Sequence, residues 1–153
     1  MTRRTGGYAA AVADVEVNKS TSKVAVRRVT LAHDCGLIVN PDGVKNQVEG
    51  NIIQGVSRAL LEEVAFDGHG VTSLDWNSYP ILRFPEMPDL DIVLLNRPEV
   101  DSLGAGELAT VPVPAAIANA IFDATGARMR EVPFTPKRVL AAIAAASKTA
   151  KSG

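Results

Sequence analysis

A single cysteine, Cys35, in 153 residues excludes an intramolecular disulfide and any cysteine-held cluster within this chain. No apolar run of transmembrane length stands out. The start, Met1-Thr-Arg-Arg, carries a twin arginine without the apolar segment that must follow it, so neither membrane insertion nor export is expected. Charge of one sign is also missing. Sixteen Lys and Arg face 17 Asp and Glu, for a net charge of -1, and they are scattered rather than blocked, so no field points toward nucleic acid or an anionic membrane. His33 and His69 lie far apart without a partner motif, so no protein-ligated metal is expected, and no serine sits in a nucleophile-elbow pattern. A cytoplasmic, reduced setting is the simplest reading. What is present is ordinary globular material: 46% hydrophobic and 22% charged residues, enough for one domain with a core but small for a complete cofactor-dependent redox enzyme.

The order of elements points to an α+β fold: an antiparallel or mixed sheet with an N-terminal β-hairpin, packed by two main helices and a C-terminal helix. Gly7 to Val17 reads as a strand with Ala11, Ala13, Val15 and Val17 on one face and Asp14 and Glu16 on the other. Asn18 to Ser22 is turn chemistry, and Lys23 to Leu31 is the partner strand. Its apolar phase slips between Val24, Val26 and Val29, Leu31, and a β-bulge near Arg27-Arg28 would restore one buried face. Asn40-Pro41 announces a helix running to about Glu63, with Val48, Ile52, Val56, Ala59 and Leu60 as its core stripe. Gly43, Gly50 and Gly55 within it suggest close packing against a neighbour or a break near its start.

Asp67 to Gly70 reads as a turn, followed by extended segments around Ile81 to Phe84 and Asp91 to Asn96. A second helix follows Pro112 and Pro114, with Ile117, Ile121 and Ala124 on its apolar face and Gly126 as its stop. A short strand near Met129 to Val132 and a last helix from Thr135 complete the order. Residues 1–146 form one domain in this reading, and 147–153 a flexible tail. Cys35 suits a small core position, while Trp76 and Tyr79 pack or line a domain contact.

Gly104-Ala105-Gly106-Glu107 is the sharpest local feature. Two glycines around a small residue allow backbone to approach a bulky ligand closely, and the carboxylate that follows is presented from a tight turn before a helix. By spacing alone, a plain connecting loop with an acidic residue near the positive end of a helix is the better account. On the first helix, Gln47, Asn51, Gln54 and Arg58 fall on one stripe. Neutral amides donate and accept at once, which suits a heterocycle edge or a buried polar contact, although an amide-rich surface helix would look the same.

Several motifs in order carry a resemblance that single motifs cannot. Gly6–Ala9 (GGYA), His33–Pro41 (HDCGLIVNP), Asn46–Gly50 (NQVEG), Gly104–Glu107 (GAGE), Val113–Ile121 (VPAAIANAI) and Ala124–Arg128 (ATGAR) follow one another as in the large subunit of the molybdenum hydroxylases, the xanthine dehydrogenase and aldehyde oxidase family. Across nearly its whole length the chain resembles the C-terminal part of that molybdopterin-binding large subunit, most of all the type found in isoquinoline 1-oxidoreductase and nicotinate dehydrogenase. The resemblance implies that Glu107 is the general base, taking a proton from the water-derived oxygen delivered to an N-heterocycle or an aldehyde. It implies that Gln47 faces the molybdopterin, with Gly50, Gly104, Ala105 and Gly106 lining the cofactor. Asn51 stands where family members usually have a second glycine after Glu-Gly.

The same resemblance implies partners: an N-terminal half of the large subunit, which supplies further cofactor contacts, and an iron–sulfur small subunit for electron exit. On its own the chain is therefore expected to bind no molybdenum cofactor, to lack activity and to self-associate through uncovered surface. A catalytically silent module that pairs with a separately encoded N-terminal half is the competing reading. An independent small enzyme using Glu107 for unrelated chemistry is a third.

Overall fold

The computed structural model describes residues 6–149. Strands β1 (Tyr8–Val17) and β2 (Val24–Asp34) form the expected hairpin. The Asn18 side chain organises its turn by accepting from the backbone N–H of Ser20 and Thr21 at 3.0 and 2.9 Å. The register shifts where anticipated: Asp14 pairs with Arg28 but Val15 with Val26, leaving Arg27 as the extra residue. That bulge turns Val24, Val26, Val29 and Leu31 onto one buried face, because strand side chains alternate and one inserted residue resets the phase.

Helix α1 (Pro41–Leu60) starts as its sequence dictates, with the Asn40 side chain accepting from Gly43 N–H at 3.0 Å. It ends slightly before Glu63, because the N–H groups of Leu61 and Glu62 both turn back to the Ser57 carbonyl. Val48, Ile52, Val56 and Ala59 are fully buried. Of its glycines, Gly55 explains itself: a Cβ there would stand 2.9 Å from Val113 Cβ, so glycine sets the close approach of the next main helix. Gly50 meets nothing within 4 Å.

A small hairpin, β3 (Phe66–Asp67) and β4 (Gly70–Val71), turns through Gly68-His69. The segment Ile81–Phe84, read as extended, is extended at Arg83 (φ -102°, ψ 156°) but joins no sheet among the described residues. Its Leu82 N–H bonds to Ser57 Oγ and a 3-10 turn follows at Phe84–Glu86, since the surrounding prolines lack the donors a ladder needs. Strand β5 (Asp89–Leu95) then pairs in parallel with β2, giving a mixed sheet of order β1-β2-β5.

After a 3-10 turn at Leu108–Thr110, helix α2 (Val113–Thr125) packs across β1 and α1. Val113, Ala116, Ile117 and Ile121 are its buried residues. Ile117 and Ile121 are buried as expected, whereas Ala124 is exposed; it shares their azimuth but stands in the last turn of the helix. Gly126 closes the helix at φ 71°, a conformation that favours glycine. The window Leu108–Thr125 has a mean hydropathy of 1.3 over 18 residues, enough by length and composition to cross a membrane, which qualifies the expectation that no such run exists. Here it is divided between a turn and α2.

Met129–Val132 is not a strand. Among the described residues no strand runs beside it, and Pro133 interrupts the donors that would pair. Instead Ala127, Met129 and Phe134 are buried as plugs, and Phe134 N–H bonds to the Ala59 carbonyl at 2.6 Å. Helix α3 (Pro136–Thr149) follows and inserts Val139 into the core. It covers the first part of the stretch read as a tail, whose remaining residues 150–153 lie outside the described residues, as does the twin-arginine start. The α+β class, with its hairpin, mixed sheet, two main helices and C-terminal helix, holds.

The core lies between one sheet face and α1 and α2. The opposite face carries no layer among the described residues, and Tyr8, Val12, Val93 and Leu95 are exposed on it. Phe66, Leu74, Trp76 and Phe84 are exposed around the small hairpin, Phe66 at 78% and Leu74 at 80%. Tyr79 instead donates its hydroxyl proton to Glu62 at 2.9 Å.

Removing the cap with Asn40→Ala should cost about 1 kcal/mol of stability, and Ile52→Ala roughly 2–5 kcal/mol. Chemical denaturation that found Ile52→Ala neutral would contradict this packing.

His33, on the inner face of β2, is fully buried with both ring nitrogens unpartnered. Burial holds its pKa below the ordinary 6.5, and the neighbouring Asp34 carboxylate offsets this only in part. Folded His33 therefore resists a proton that the unfolded chain accepts. The stability this represents is present above about pH 6.5 and is lost as pH falls toward the folded-state value. Asp34, whose pKa is also lowered, adds a loss in the same direction at more acidic pH. His33→Leu should leave stability at neutral pH nearly unchanged while flattening its decline as pH falls below about 6.5. An unaltered slope in denaturation titrations would count against this reading.

Candidate functional site

The site grows from the end of β2. Asp34 accepts from Gly36 N–H at 3.0 Å and pairs with Arg97 Nε at 2.7 Å. The Gly36 N–H, first, and the Arg97 guanidinium hold this carboxyl below the usual carboxylate range. Backbone bonds then lace residues 35–37 to the loop after β5: Arg97 N–H to Gly36 O at 3.1 Å, Leu37 N–H to Val100 O at 3.0 Å, and Leu103 N–H to Cys35 O at 2.8 Å. Gly36 sits at φ +75°, and a Cβ there would lie 2.2 Å from the Asp101 carbonyl oxygen. Only glycine allows this approach. Cys35 is a buried free thiol whose pKa is raised by burial and by Asp34, in keeping with a small core residue.

This lacing delivers the Gly104–Glu107 loop to the first half of α1. Cys35, Leu37, Val39, Asn40, Val44 and Gln47 form one side of a groove of about 480 Å³, and Ser102, Leu103, Ala105 and Gly106 the other. Gln47, Ala105 and Gly106 thus line one groove. Gly104 and Glu107 adjoin the groove in sequence without lining it, and Gly50 lies one helical turn further along α1. Glu107 is exposed, and its carbonyl accepts from Thr110 N–H at 3.0 Å to open the 3-10 turn.

The amide stripe does not act as one face. Gln47 is exposed in the groove, whereas Gln54 accepts from Arg58 at 3.3 Å on the surface. Asn51 turns inward, only 6% exposed. Its Nδ2 donates to the carbonyls of Gln47 at 2.6 Å and Gly106 at 2.8 Å, and its Oδ1 accepts from Thr110 Oγ1 at 2.5 Å. Asp34, Gly36, Arg97 and Thr110 were absent from the sequence-based candidates. The Asp34-Cys-Gly36 spacing was a usable signal for a side chain capping the N–H two residues on. Gly7 was another: its Cβ would crowd Leu108 at 2.8 Å.

The groove suits the edge of a neutral, hydrogen-bonding heterocycle. A Cβ added at Gly104 or Gly106 would meet nothing within 4 Å, and neither residue has a positive φ, so nothing in the described chain demands glycine there. The missing side chains leave room for a body outside the chain to approach the backbone. Gln47 offers a donor and an acceptor, and no Lys or Arg lines the groove, so an anionic group would need partners elsewhere. Among the described residues no cluster of three His, Cys, Asp or Glu could hold a metal ion. A larger cavity of about 700 Å³ lies by Val24–Arg27, Leu60, Leu82 and Phe134 and contains none of the expected site residues.

The family described as "Molybdopterin cofactor-binding domain" matches residues 2–88. The matching chain of the nicotinate dehydrogenase of Pseudomonas putida is 54% identical over 136 residues, which are 89% of this chain and 12% of that protein. The beta chain of the isoquinoline 1-oxidoreductase of Brevundimonas diminuta is 35% identical over 84% of this chain and 16% of its own length. The aldehyde oxidoreductase of Desulfovibrio gigas superposes with a TM-score of 0.79 and 32% identity, covering 90% of this chain and 15% of that one. The chain therefore spans well under a fifth of these relatives. With more than half its length matched and the same fold in a solved relative, the chain belongs to the molybdopterin-binding family of the molybdenum hydroxylases.

Proposed function

We propose that this chain supplies one wall of the active site of a molybdopterin-dependent oxidoreductase that hydroxylates N-heterocycles or oxidises aldehydes with water-derived oxygen. The observation that carries the reading is convergence: Gln47 and the Gly104–Glu107 loop, distant in sequence, meet at one groove. The molybdenum cofactor, when bound, supplies the redox chemistry. Gln47 binds and orients the pterin edge through its amide. Gly104, Ala105 and Gly106 let that body come close, and Gly50 leaves space beside it. Glu107 is the general base, because its carboxylate is exposed on a backbone fixed at both ends, which is the arrangement that positioned proton transfer requires.

The uncovered sheet face and the apolar residues around β3–β4 support a second component. In the active reading it is the remaining N-terminal part of the large subunit, joined in the cytoplasm by a separate iron–sulfur subunit. The same surfaces equally support a catalytically silent module that pairs with a separately encoded half.

Two outcomes follow for the protein purified alone. It should hold no stoichiometric molybdenum or pterin, and light scattering should show association growing with concentration. Bound cofactor at one equivalent, or a strict monomer across the range, would contradict the shared-site reading.

In the enzyme assembled from this chain and its complement, Glu107→Gln keeps size and hydrogen-bonding reach but cannot accept a proton as a base. Turnover should fall roughly 10²–10⁴-fold with molybdenum content unchanged. Gln47→Ala should instead lower cofactor retention together with activity. Near-normal turnover of a fully loaded Glu107→Gln enzyme would overturn the assignment.

A further inference from the structure

Asn51 is buried between two segments that the proposed function needs together, and every polar atom of its side chain is engaged. Its Nδ2 donates to Gln47 O at 2.6 Å and to Gly106 O at 2.8 Å, the latter 55 positions away in sequence. Its Oδ1 accepts from Thr110 Oγ1 at 2.5 Å. The orientation of the amide is fixed by chemistry, since two carbonyls accept and only an NH₂ group can serve both. The Thr110 hydroxyl supplies the donor the oxygen needs. Thr110 N–H in turn bonds to Glu107 O at 3.0 Å. The two peptide groups flanking Glu107 are therefore both tied to this network: the preceding carbonyl through Asn51, the following one through Thr110. Glu107 itself is left exposed.

We infer that Asn51, locked by Thr110, is a positioning residue that sets the placement of Glu107 relative to Gln47; this rests on the proposed function. The amide converts a glycine-bearing loop, which by itself has many conformations, into a fixed mount referenced to the helix turn that carries Gln47. A glycine at position 51 would have no side chain to make any of these three bonds. Small displacements of a reacting group are costly: misplacement by about 1 Å can cost 10²-fold in rate.

The test uses Asn51→Ala, Thr110→Val and Thr110→Ser, each compared with wild type in two settings. Alanine is the better helix former, so the first variant does not fray α1. In the 153-residue chain, hydrogen exchange read by mass spectrometry should quicken roughly tenfold at the Thr110 and Val111 amides for Asn51→Ala and Thr110→Val. Leu103, whose N–H is held by Cys35 O, is the internal control and should not change. Thr110→Ser, which keeps the hydroxyl, should restore protection.

In the assembled holoenzyme, Asn51→Ala should lower kcat roughly 10–100-fold with KM little changed and molybdenum retained, and Thr110→Ser should behave as wild type. Wild-type exchange at Thr110 and Val111 in Asn51→Ala overturns the clamp. So does full turnover in Asn51→Ala when Glu107→Gln is inactive, and that result leaves the general-base reading standing. If Glu107→Gln itself turns over normally, the functional reading fails and the positioning role falls with it, whatever the exchange data show.

Discussion

Two backbone carbonyls, one in α1 and one in the loop before Glu107, meet at the NH₂ group of Asn51. The Asn51 side chain is itself buried, and a buried amide left without partners costs about 1–3 kcal/mol, so this contact determines where the loop can rest. The Thr110 hydroxyl orients the amide, and the Gly36–Asp101 approach with the Asp34–Arg97 pair holds the loop at its other end. Between these supports lies the groove that Gln47 enters. Of the buried polar residues among those described, Asp34 and Asn51 lie here, while Ser22, His33 and Ser57 are buried elsewhere.

The remainder of the fold serves to bring those supports into place. The Arg27 bulge keeps both halves of β2 on the core face, so that β2 ends with Asp34 beside β5. Parallel pairing of β5 with β2 sends the following loop back over Gly36. Gly55 lets Val113 and α2 close on α1, which seats the Leu108–Thr110 turn against Asn51. The architecture is open on its other side. The sheet face with Tyr8, Val12, Val93 and Leu95 exposed carries no layer among the described residues, and the proposed N-terminal part would cover it.

Local rules made much of this legible in advance. The Asn40 cap, the Gly126 stop, the α1 stripe and the bulge each follow from a few adjacent residues and a strict period, and each is present. What failed depended on neighbours that sequence does not reveal. Met129–Val132 has strand-like residues but no strand to pair with among the described residues, and only its Met129 packs into the core. Ala124 shares the azimuth of the buried Ile117 and Ile121 but stands in the last turn of α2, where it is exposed. Asn51 could be read as one amide among several, since its inward turn depends on Gly106 and Thr110, far along the chain. Gln47 and the Gly104–Glu107 loop were visible as motifs, while their meeting at one groove was a matter of tertiary structure.

The central claim is that this groove is one wall of a molybdopterin site. A structure of the assembled large subunit with cofactor bound tests it most directly. The pterin edge should lie against the Gln47 amide and the Ala105–Gly106 backbone, with the Glu107 carboxylate directed at the metal side of the site. A cofactor seated elsewhere, for instance in the cavity by Val24–Arg27, or out of contact with both Gln47 and the Gly104–Glu107 loop, would contradict it.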